Sequence, residues 1–146
     1  IRDRNFLLLT RGVPWTDFSA EFRARDVILL GRYQCVSRIV KRDDIADPVR
    51  SDEWSALFDR QHLEALSPYW RSWQTGDRMT LPSGATKKLS DIFIDTKTPV
   101  WEKHRMPLLV AENGGVLWIP GKKRSAEAWI ETSTDQIIQI MVTKKQ

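Results

Sequence analysis

Two adjacent lysines, Lys87 and Lys88, lie where a protein chain could bind an anion. Residues 87–95 predict a short helix, because apolar residues at positions 89, 92 and 93 have the spacing of one helix face. Thr86 is the expected N-cap, which places both lysines in the first turn. Each cation there opposes the helix dipole at a cost of about 0.3–1 kcal/mol. A phosphate bound at the helix N-terminus would explain them, and so would two solvated lysines.

Other residues that commonly do chemistry lack the spacing that chemistry requires. His62 and His104 are the two histidines, and neither has a partner at metal-ligand spacing, so we predict no metal site. The stretch SGATKKLS does not fit a phosphate-binding loop. Aspartates could supply an acid–base pair, but the chain has no nucleophile or cofactor fingerprint beside them. We therefore predict no catalytic residue and no cofactor in this chain.

The composition indicates a folded protein with a modest positive charge. The 146 residues carry 23 Lys and Arg against 19 Asp and Glu, a net charge of +4, which favours a polyanionic partner. The single cysteine, Cys35, excludes an internal disulfide and fits a reducing cytoplasm. We find no signal peptide and no apolar run near the ~20 residues that span a membrane. The chain opens on Ile1 rather than Met, so we expect a piece of a longer protein.

The apolar pattern predicts an α+β fold that is mainly β, with two or three short helices. Strands are expected at 5–10, 26–30, 33–40, 69–74 and 136–142, and residues 54–66 predict a short strand or helical turn followed by a helix. A second short helix should start at Thr98–Pro99 and end at Pro107. Residues 107–120 predict a hairpin, because Asn113–Gly114 suits a type I′ turn.

The chain divides by composition near its middle. Residues 41–53 are polar and aperiodic, and they predict a surface loop. We predict an N-terminal segment, 1–66, made of strands, this loop and a connecting helix. A C-terminal domain, 67–146, follows.

Several motifs follow one another in order between about residue 69 and residue 140. An Arg and a Trp precede a Gly-Asp turn, and Lys-Lys-Leu leads into FID.K.P. An Arg-x-x-Pro-Leu-Leu entry to the hairpin is followed by a W.PG exit and a basic residue. This order resembles the C-terminal domain of bacterial tRNA(Ile)-lysidine synthase, more loosely over residues 1–68 and with a departure at LPSG. The matching residues are Arg71, Trp73, Gly76, Asp77, Lys87, Lys88, Leu89, Phe93, Ile94, Asp95, Lys97, Pro99, Arg105, Pro107, Leu108, Leu109, Trp118, Pro120, Gly121 and Arg124.

The resemblance implies a part of a tRNA-modifying ligase. Enzymes of this family use ATP and Mg²⁺ to adenylate the wobble cytidine of a minor isoleucine tRNA with a CAU anticodon, and then attach lysine. That chemistry belongs to an N-terminal catalytic domain, so this chain alone should be inactive. The family's C-terminal domain is associated with the acceptor-stem side of the tRNA. Its β-rich layered fold is shared with the phenylalanyl-tRNA synthetase β subunit.

These expectations predict one tRNA-binding face. Arg105 precedes the hairpin and 122–124 follow it, so the hairpin should bring both groups to the same end. We expect Trp73 and Trp118 to be largely buried, whereas an exposed Trp101 would be able to stack on a base. The alternative is a structural or interaction domain that packs on neighbouring domains with little RNA contact. The main phosphate-binding candidates are Lys87, Lys88, Arg105, Lys122, Lys123 and Arg124, and the secondary candidates are Arg71, Arg78, Lys97 and Trp101.

Overall fold

A computed structural model describes residues 17–45 and 54–145 of the chain. The described ranges contain eleven strands in three sheets, three short α-helices and a 3₁₀ helix at Arg42–Asp44. The strands are β1 Ser19–Glu21, β2 Asp26–Leu30, β3 Tyr33–Lys41, β4 Ser55–Asp59, β5 Tyr69–Arg71, β6 Arg78–Thr80, β7 Thr86–Lys88, β8 Leu108–Val110, β9 Val116–Ile119, β10 Lys123–Arg124 and β11 Gln136–Lys144, and the helices are α1 Arg60–Ala65, α2 Leu89–Asp95 and α3 Val100–Arg105. The mainly β prediction is confirmed.

A four-stranded antiparallel sheet has the order β2-β3-β11-β4. The last strand, β11, therefore lies between two strands from the first half of the chain. Its residues alternate as the sequence predicts: Ile138, Ile140 and Val142 are buried in the core, and Met141 is exposed on the other face. The predicted strand at 5–10 and most of the predicted loop at 41–53 lie outside the described residues.

A five-stranded sheet, with the order β1-β5-β8-β9-β10, contains the predicted hairpin. Strands β8 and β9 are antiparallel, as expected, but the predicted type I′ turn is wrong. That turn requires a positive φ at two consecutive residues, and here Gly114 has φ +97° whereas Asn113 does not have a positive φ. The Ala111 N–H donates to the Gly115 carbonyl at 2.8 Å, so the loop is longer than two residues.

Two clusters of buried side chains stabilise the fold. The larger includes Phe58, Leu63, Trp70 and Trp118. The smaller packs the apolar face of α2 against Met79 of β6 and residues of β8 and β9. Trp118 is buried as predicted. Strands from both sides of residue 66 pair in each of the two larger sheets, and the division of the chain at that residue remains a prediction.

The start of α2 differs from the sequence prediction. Residues 86–88 form β7, which pairs with β6 in a two-stranded sheet, and the helix begins only at Leu89. The Leu89 N–H donates to the Asp77 carbonyl at 2.9 Å, which holds the junction in place. Thr86 is therefore not the N-cap, and Lys88 occupies that position without a capping side chain. Helix α3 begins at Val100, with Pro99 as its N-cap.

Candidate nucleic-acid interface

The two lysines at 87 and 88 point to opposite sides of the β6–β7 hairpin. Lys88 lies directly opposite Arg78, and both side chains are exposed. Lys87 lies opposite the buried Met79 and forms an ion pair with Asp95 at the end of α2. Like charges directly opposite each other on paired strands destabilise the pairing. One side of this hairpin therefore carries two exposed cations that repel each other.

Arg71, a secondary candidate, is a structural residue. Its guanidinium is buried and forms two hydrogen bonds of 2.8 Å with the Asp77 carboxylate and a third, of 2.9 Å, with the Ser72 carbonyl. The hydrogen bonds that the guanidinium donates to Asp77 raise the pKa of Arg71. Asp77 also accepts the backbone N–H of Gln74 at 2.8 Å. The pair fixes the turn before β6 and leaves the Arg71 side chain buried, so we do not include Arg71 among the proposed phosphate contacts.

Arg124, a main candidate, also makes most of its contacts within the protein. It donates to the carbonyls of Leu57, Ser125 and Glu127, and its guanidinium lies between two aromatic rings. The distances to the ring centroids are 4.2 Å for Phe58 and 4.5 Å for Trp129. Burial lowers the pKa of Arg124 to about 10. Each of the three guanidinium nitrogens donates to a backbone carbonyl, so we do not propose Arg124 as a phosphate contact.

Helix α3 carries one of the remaining basic candidates, Arg105, and contacts another, Lys122. The Lys122 ammonium lies 3.9 Å from the Glu102 carboxylate, so the exit of the hairpin reaches the helix that carries Arg105, as the hairpin geometry predicts. Lys123, the next residue along the chain, is exposed. Lys97 is exposed as well, in a left-handed conformation with φ +53° just before the helix.

An exposed aromatic residue completes this end of the molecule. Trp101 is 46% exposed, and the Arg105 guanidinium lies 5.9 Å from its ring centroid. The Lys144 ammonium lies 5.1 Å from the same ring, although Lys144 stands at the far end of the chain and was not among the sequence candidates. The signal that could have found it is the strand alternation of β11, which continues to Lys144 on the core-facing side.

The other side of α3 packs on Trp73, which is partly buried, whereas the sequence predicts it to be largely buried. His104 contacts its ring at 5.3 Å between centroids, and the Lys103 ammonium lies 4.7 Å from the centroid. Burial lowers the pKa of His104, and the charge of Lys103 lowers it further. These contacts fix α3 against the domain through side chains that the sequence candidates do not include.

A polar cleft of about 530 Å³ lies beside α1 and includes Asp59 and His62. Asp59 caps this helix by accepting the His62 N–H at 3.0 Å, and it accepts the Thr134 hydroxyl at 2.7 Å. Burial alone would raise the pKa of Asp59, but the hydrogen bonds that it accepts have the larger combined effect, so the net pKa is lowered. A carboxylate held in this way is a helix cap and not a general acid.

Residues 17–45 and 54–145 contain neither a metal-binding cluster nor a helix that could cross a membrane. No group of three or more His, Cys, Asp or Glu side chains in these ranges could hold a metal ion. None of the helices there has the length and apolar character needed to cross a bilayer.

Comparison with known proteins identifies the domain. Residues 69–140 match the family described as the TilS substrate C-terminal domain. This part of the chain belongs to that family. A solved structure described as the TilS C-terminal domain superposes with a TM-score of 0.75 at 26% identity, covering 90% of this chain and 99% of the solved one. The TilS C-terminal fold therefore includes strands from both halves of the chain.

The related full-length proteins are tRNA-modifying enzymes by name. The tRNA(Ile)-lysidine synthase of Geobacillus kaustophilus is 47% identical over 57 residues, which is 38% of this chain and 12% of that protein. The bifunctional protein TilS/HprT of Listeria monocytogenes is 50% identical over 52 residues, 35% of this chain and 8% of that protein. The Bacillus subtilis tRNA(Ile)-lysidine synthase is 37% identical over 70 residues, 47% and 15% respectively. The chain thus matches only a small part of each relative's length.

Proposed function

We propose that this chain is the tRNA-binding C-terminal portion of a tRNA(Ile)-lysidine synthase. The parent enzyme would act in the cytoplasm, using ATP and Mg²⁺ to attach lysine to the wobble cytidine of an isoleucine tRNA with a CAU anticodon. Its N-terminal domain would carry out this chemistry, and the present chain would bind the tRNA on its acceptor-stem side without catalytic activity of its own. The family match to residues 69–140 supports this proposal.

The observation that carries the binding role is the pair Arg78 and Lys88. The two side chains are exposed, stand directly opposite each other, and have no carboxylate within ion-pair distance among the described residues. A phosphate between them would relieve their repulsion and accept hydrogen bonds from both. The side chains of a two-residue cross-strand pair lie close enough to share one such anion.

The remaining candidates extend this role to α3. Arg105 and Lys123 have no carboxylate partner among the described residues, whereas Lys87 and Lys122 are each paired with an acid. A phosphate can compete for the exposed pair of Lys87 more readily than for Lys122, whose side chain is only 18% exposed. The proposed contacts are therefore Arg78, Lys88, Arg105 and Lys123, with Lys87 and Lys97 at their margin.

The test compares a double variant at the proposed site with a double variant that removes two cations elsewhere in the chain. We would make Arg78→Gln with Lys88→Gln, and as control Arg38→Gln with Lys41→Gln, which also removes one exposed Arg and one exposed Lys from strand positions. Affinity for a CAU-anticodon tRNA transcript is measured across a salt series. Loss of two phosphate contacts should flatten the slope of log K against log salt by about two units.

The control separates a phosphate site from general charge. We expect the Arg38 and Lys41 variant to keep the wild-type slope to within about half a unit, and both variants to keep wild-type stability. Equal effects of the two variants would mean that net charge alone attracts the RNA. Absence of tRNA binding by the wild-type chain at low salt would contradict the proposed function.

A packing role is the second candidate, favoured by one apolar surface. Val27 is 58% exposed and Met141 is 39% exposed, and both lie on the same face of the four-stranded sheet because each is paired with Val36. Exposed apolar residues in a row are typical of a contact with another domain. If this role were the main one, the chain would show neither tRNA binding nor a salt slope.

A further inference from the structure

We infer that Trp101, Arg105 and Lys144 form a stacking site for an unpaired RNA nucleotide, in which the indole contacts the base and the two cations contact its flanking phosphates. The inference rests on the proposed function and specifies which feature of the RNA this corner of the domain would bind. It assigns a role to Lys144, which no sequence motif marks.

The packing of the core does not explain why Trp101 is exposed. Trp70 and Trp118, each 2% exposed, fill the larger core cluster, whereas none of the residues of α3 is buried. Trp101 is 46% exposed on a six-residue helix, so nearly half of a large ring contacts solvent. A partly exposed aromatic side chain next to cations is an arrangement that proteins use to bind bases of single-stranded nucleic acid.

The position of Lys144 follows from strand geometry. The core-facing side of β11 carries Ile138, Ile140 and Val142, and the alternation continues to Lys144, which is paired with the buried Tyr33 at the end of β3. The lysine is therefore directed toward the α3 side of the sheet, and its ammonium lies 5.1 Å from the Trp101 ring. The Arg105 guanidinium lies 5.9 Å from the same ring.

An aromatic stack and an ion pair support this site. Tyr33 stacks on Trp54 at 6.4 Å between centroids with an 18° angle between planes. Lys122 binds Glu102 of the same helix, which ties α3 to the end of the hairpin. Burial and, to a lesser extent, the charge of Glu102 raise the pKa of Tyr33 to about 12 against the lowering effect of Arg105, so this hydroxyl stays protonated at neutral pH. A preorganised platform loses little conformational entropy on binding.

The chemistry of this corner favours an unpaired nucleotide over a duplex. A base inside a helix has both faces covered by its neighbours, whereas an unpaired base can place one face on an indole. Two cations near the same ring match the phosphates on either side of that base. Stacking of one base on an aromatic side chain contributes a factor of roughly 5 to 150 in affinity.

The test compares two RNA probes that differ only in unpaired nucleotides. One is a blunt RNA duplex, and the other is the same duplex with a short single-stranded 3′ extension. We expect the wild-type chain to bind the extended duplex at least about 10-fold more tightly. Trp101→Ala should remove this preference and leave the affinity for the blunt duplex within about 2-fold. Trp101→Phe should retain most of the preference, because phenylalanine keeps an aromatic face.

Two further variants make the assignment specific. Trp129→Ala removes an indole of similar exposure, 43%, that contacts Arg124 rather than Arg105 or Lys144, and it should keep the preference for the extension. Lys144→Gln should lower the salt slope by about one unit on the extended duplex and leave it unchanged on the blunt one.

The failures of this inference and of the proposed function are distinguishable. Equal, salt-dependent affinity of the wild-type chain for both duplexes would overturn the stacking site and leave the proposed function intact. An equal loss on both probes in Trp101→Ala would also overturn it, since it would mean that the indole only supports the fold. No binding of either probe or of tRNA would overturn both proposals and favour a protein partner for this corner.

Discussion

Replacing Gly121 with alanine would insert a methyl group into the side chain of Trp54. Gly121 stands in the turn between β9 and β10 with φ +78°, and a Cβ built there would lie 2.4 Å from Cζ2 of Trp54 and 2.7 Å from Cε2. The ring cannot simply move away, because it is stacked on Tyr33 and the Trp54 backbone carbonyl accepts the Val142 N–H at 2.9 Å. This turn leads directly to Lys122 and Lys123.

Two contributions set the expected loss of stability. A non-glycine residue in the left-handed region costs roughly 1–2 kcal/mol, and overpacking a filled site costs about 1–3 kcal/mol more. The free energy of unfolding should therefore fall by roughly 2–5 kcal/mol. For a chain of this size each kcal/mol lowers Tm by about 2–4 °C, so we expect a decrease of roughly 5–20 °C.

Urea unfolding followed by far-ultraviolet circular dichroism measures this loss, and Gly114→Ala is the matched control. Gly114 has φ +97°, but a Cβ there would meet nothing within 4 Å, so only the backbone cost of roughly 1–2 kcal/mol should remain. Adding Trp54→Leu to Gly121→Ala should show a favourable coupling of roughly 1–3 kcal/mol, because the smaller side chain frees the space. If Gly121→Ala costs no more than Gly114→Ala, or if the coupling is absent, Trp54 does not pack on this turn.

Two further predictions concern buried polar groups. Asp77→Asn removes the charge partner of the buried Arg71 and should lower the free energy of unfolding, measured in urea titrations, by roughly 3–5 kcal/mol. A loss below about 1 kcal/mol would mean that the ion pair is solvated. Burial raises the pKa of the Cys35 thiol to about 12, so the reactive thiolate should be scarce at pH 8. A colorimetric thiol reagent should therefore react with Cys35 only after the chain is unfolded. Rapid reaction with the folded chain would contradict the burial of Cys35.

The strands that the sequence predicts are those whose signal is local. Residues 26–30, 33–41 and 136–144 are rich in apolar and β-branched side chains, and the structure forms strands at these positions. The hairpin at 108–119 is equally visible, since its two apolar runs flank an Asn-Gly pair. In each case the residues that determine the element lie within the element itself.

The start of α2 was mispredicted because a distant partner determines it. Residues 86–88 fit a helix start by their own preferences, but they pair with β6 and the helix begins after the Leu89 N–H has bonded to Asp77. The same limit applies to Arg124. Its neighbours make it look like part of a solvated basic run, whereas carbonyls from β4 and from the following loop accept its hydrogen bonds.

The candidate sites divide in the same way. Lys88 and Arg78 could be identified from the sequence as exposed basic residues, but their position directly opposite each other depends on strand register. The contact between Trp101 and Lys144 joins a short helix to the last strand, and no local pattern connects the two. Sequence reasoning therefore identified most of the chemistry of this surface but only part of its arrangement.

Lysine footprinting on the unmodified 146-residue chain tests the proposed tRNA-binding surface most directly. The chain is treated with an acetylating reagent, alone and with saturating CAU-anticodon tRNA, and the reactivity of each lysine is read by mass spectrometry. We predict that Lys88, Lys123 and Lys144 lose most of their reactivity in the complex, while Lys41, exposed at the end of β3, stays as reactive as in the free chain. Unchanged reactivity at Lys88, Lys123 and Lys144, or protection centred on Lys41, would contradict this placement of the tRNA.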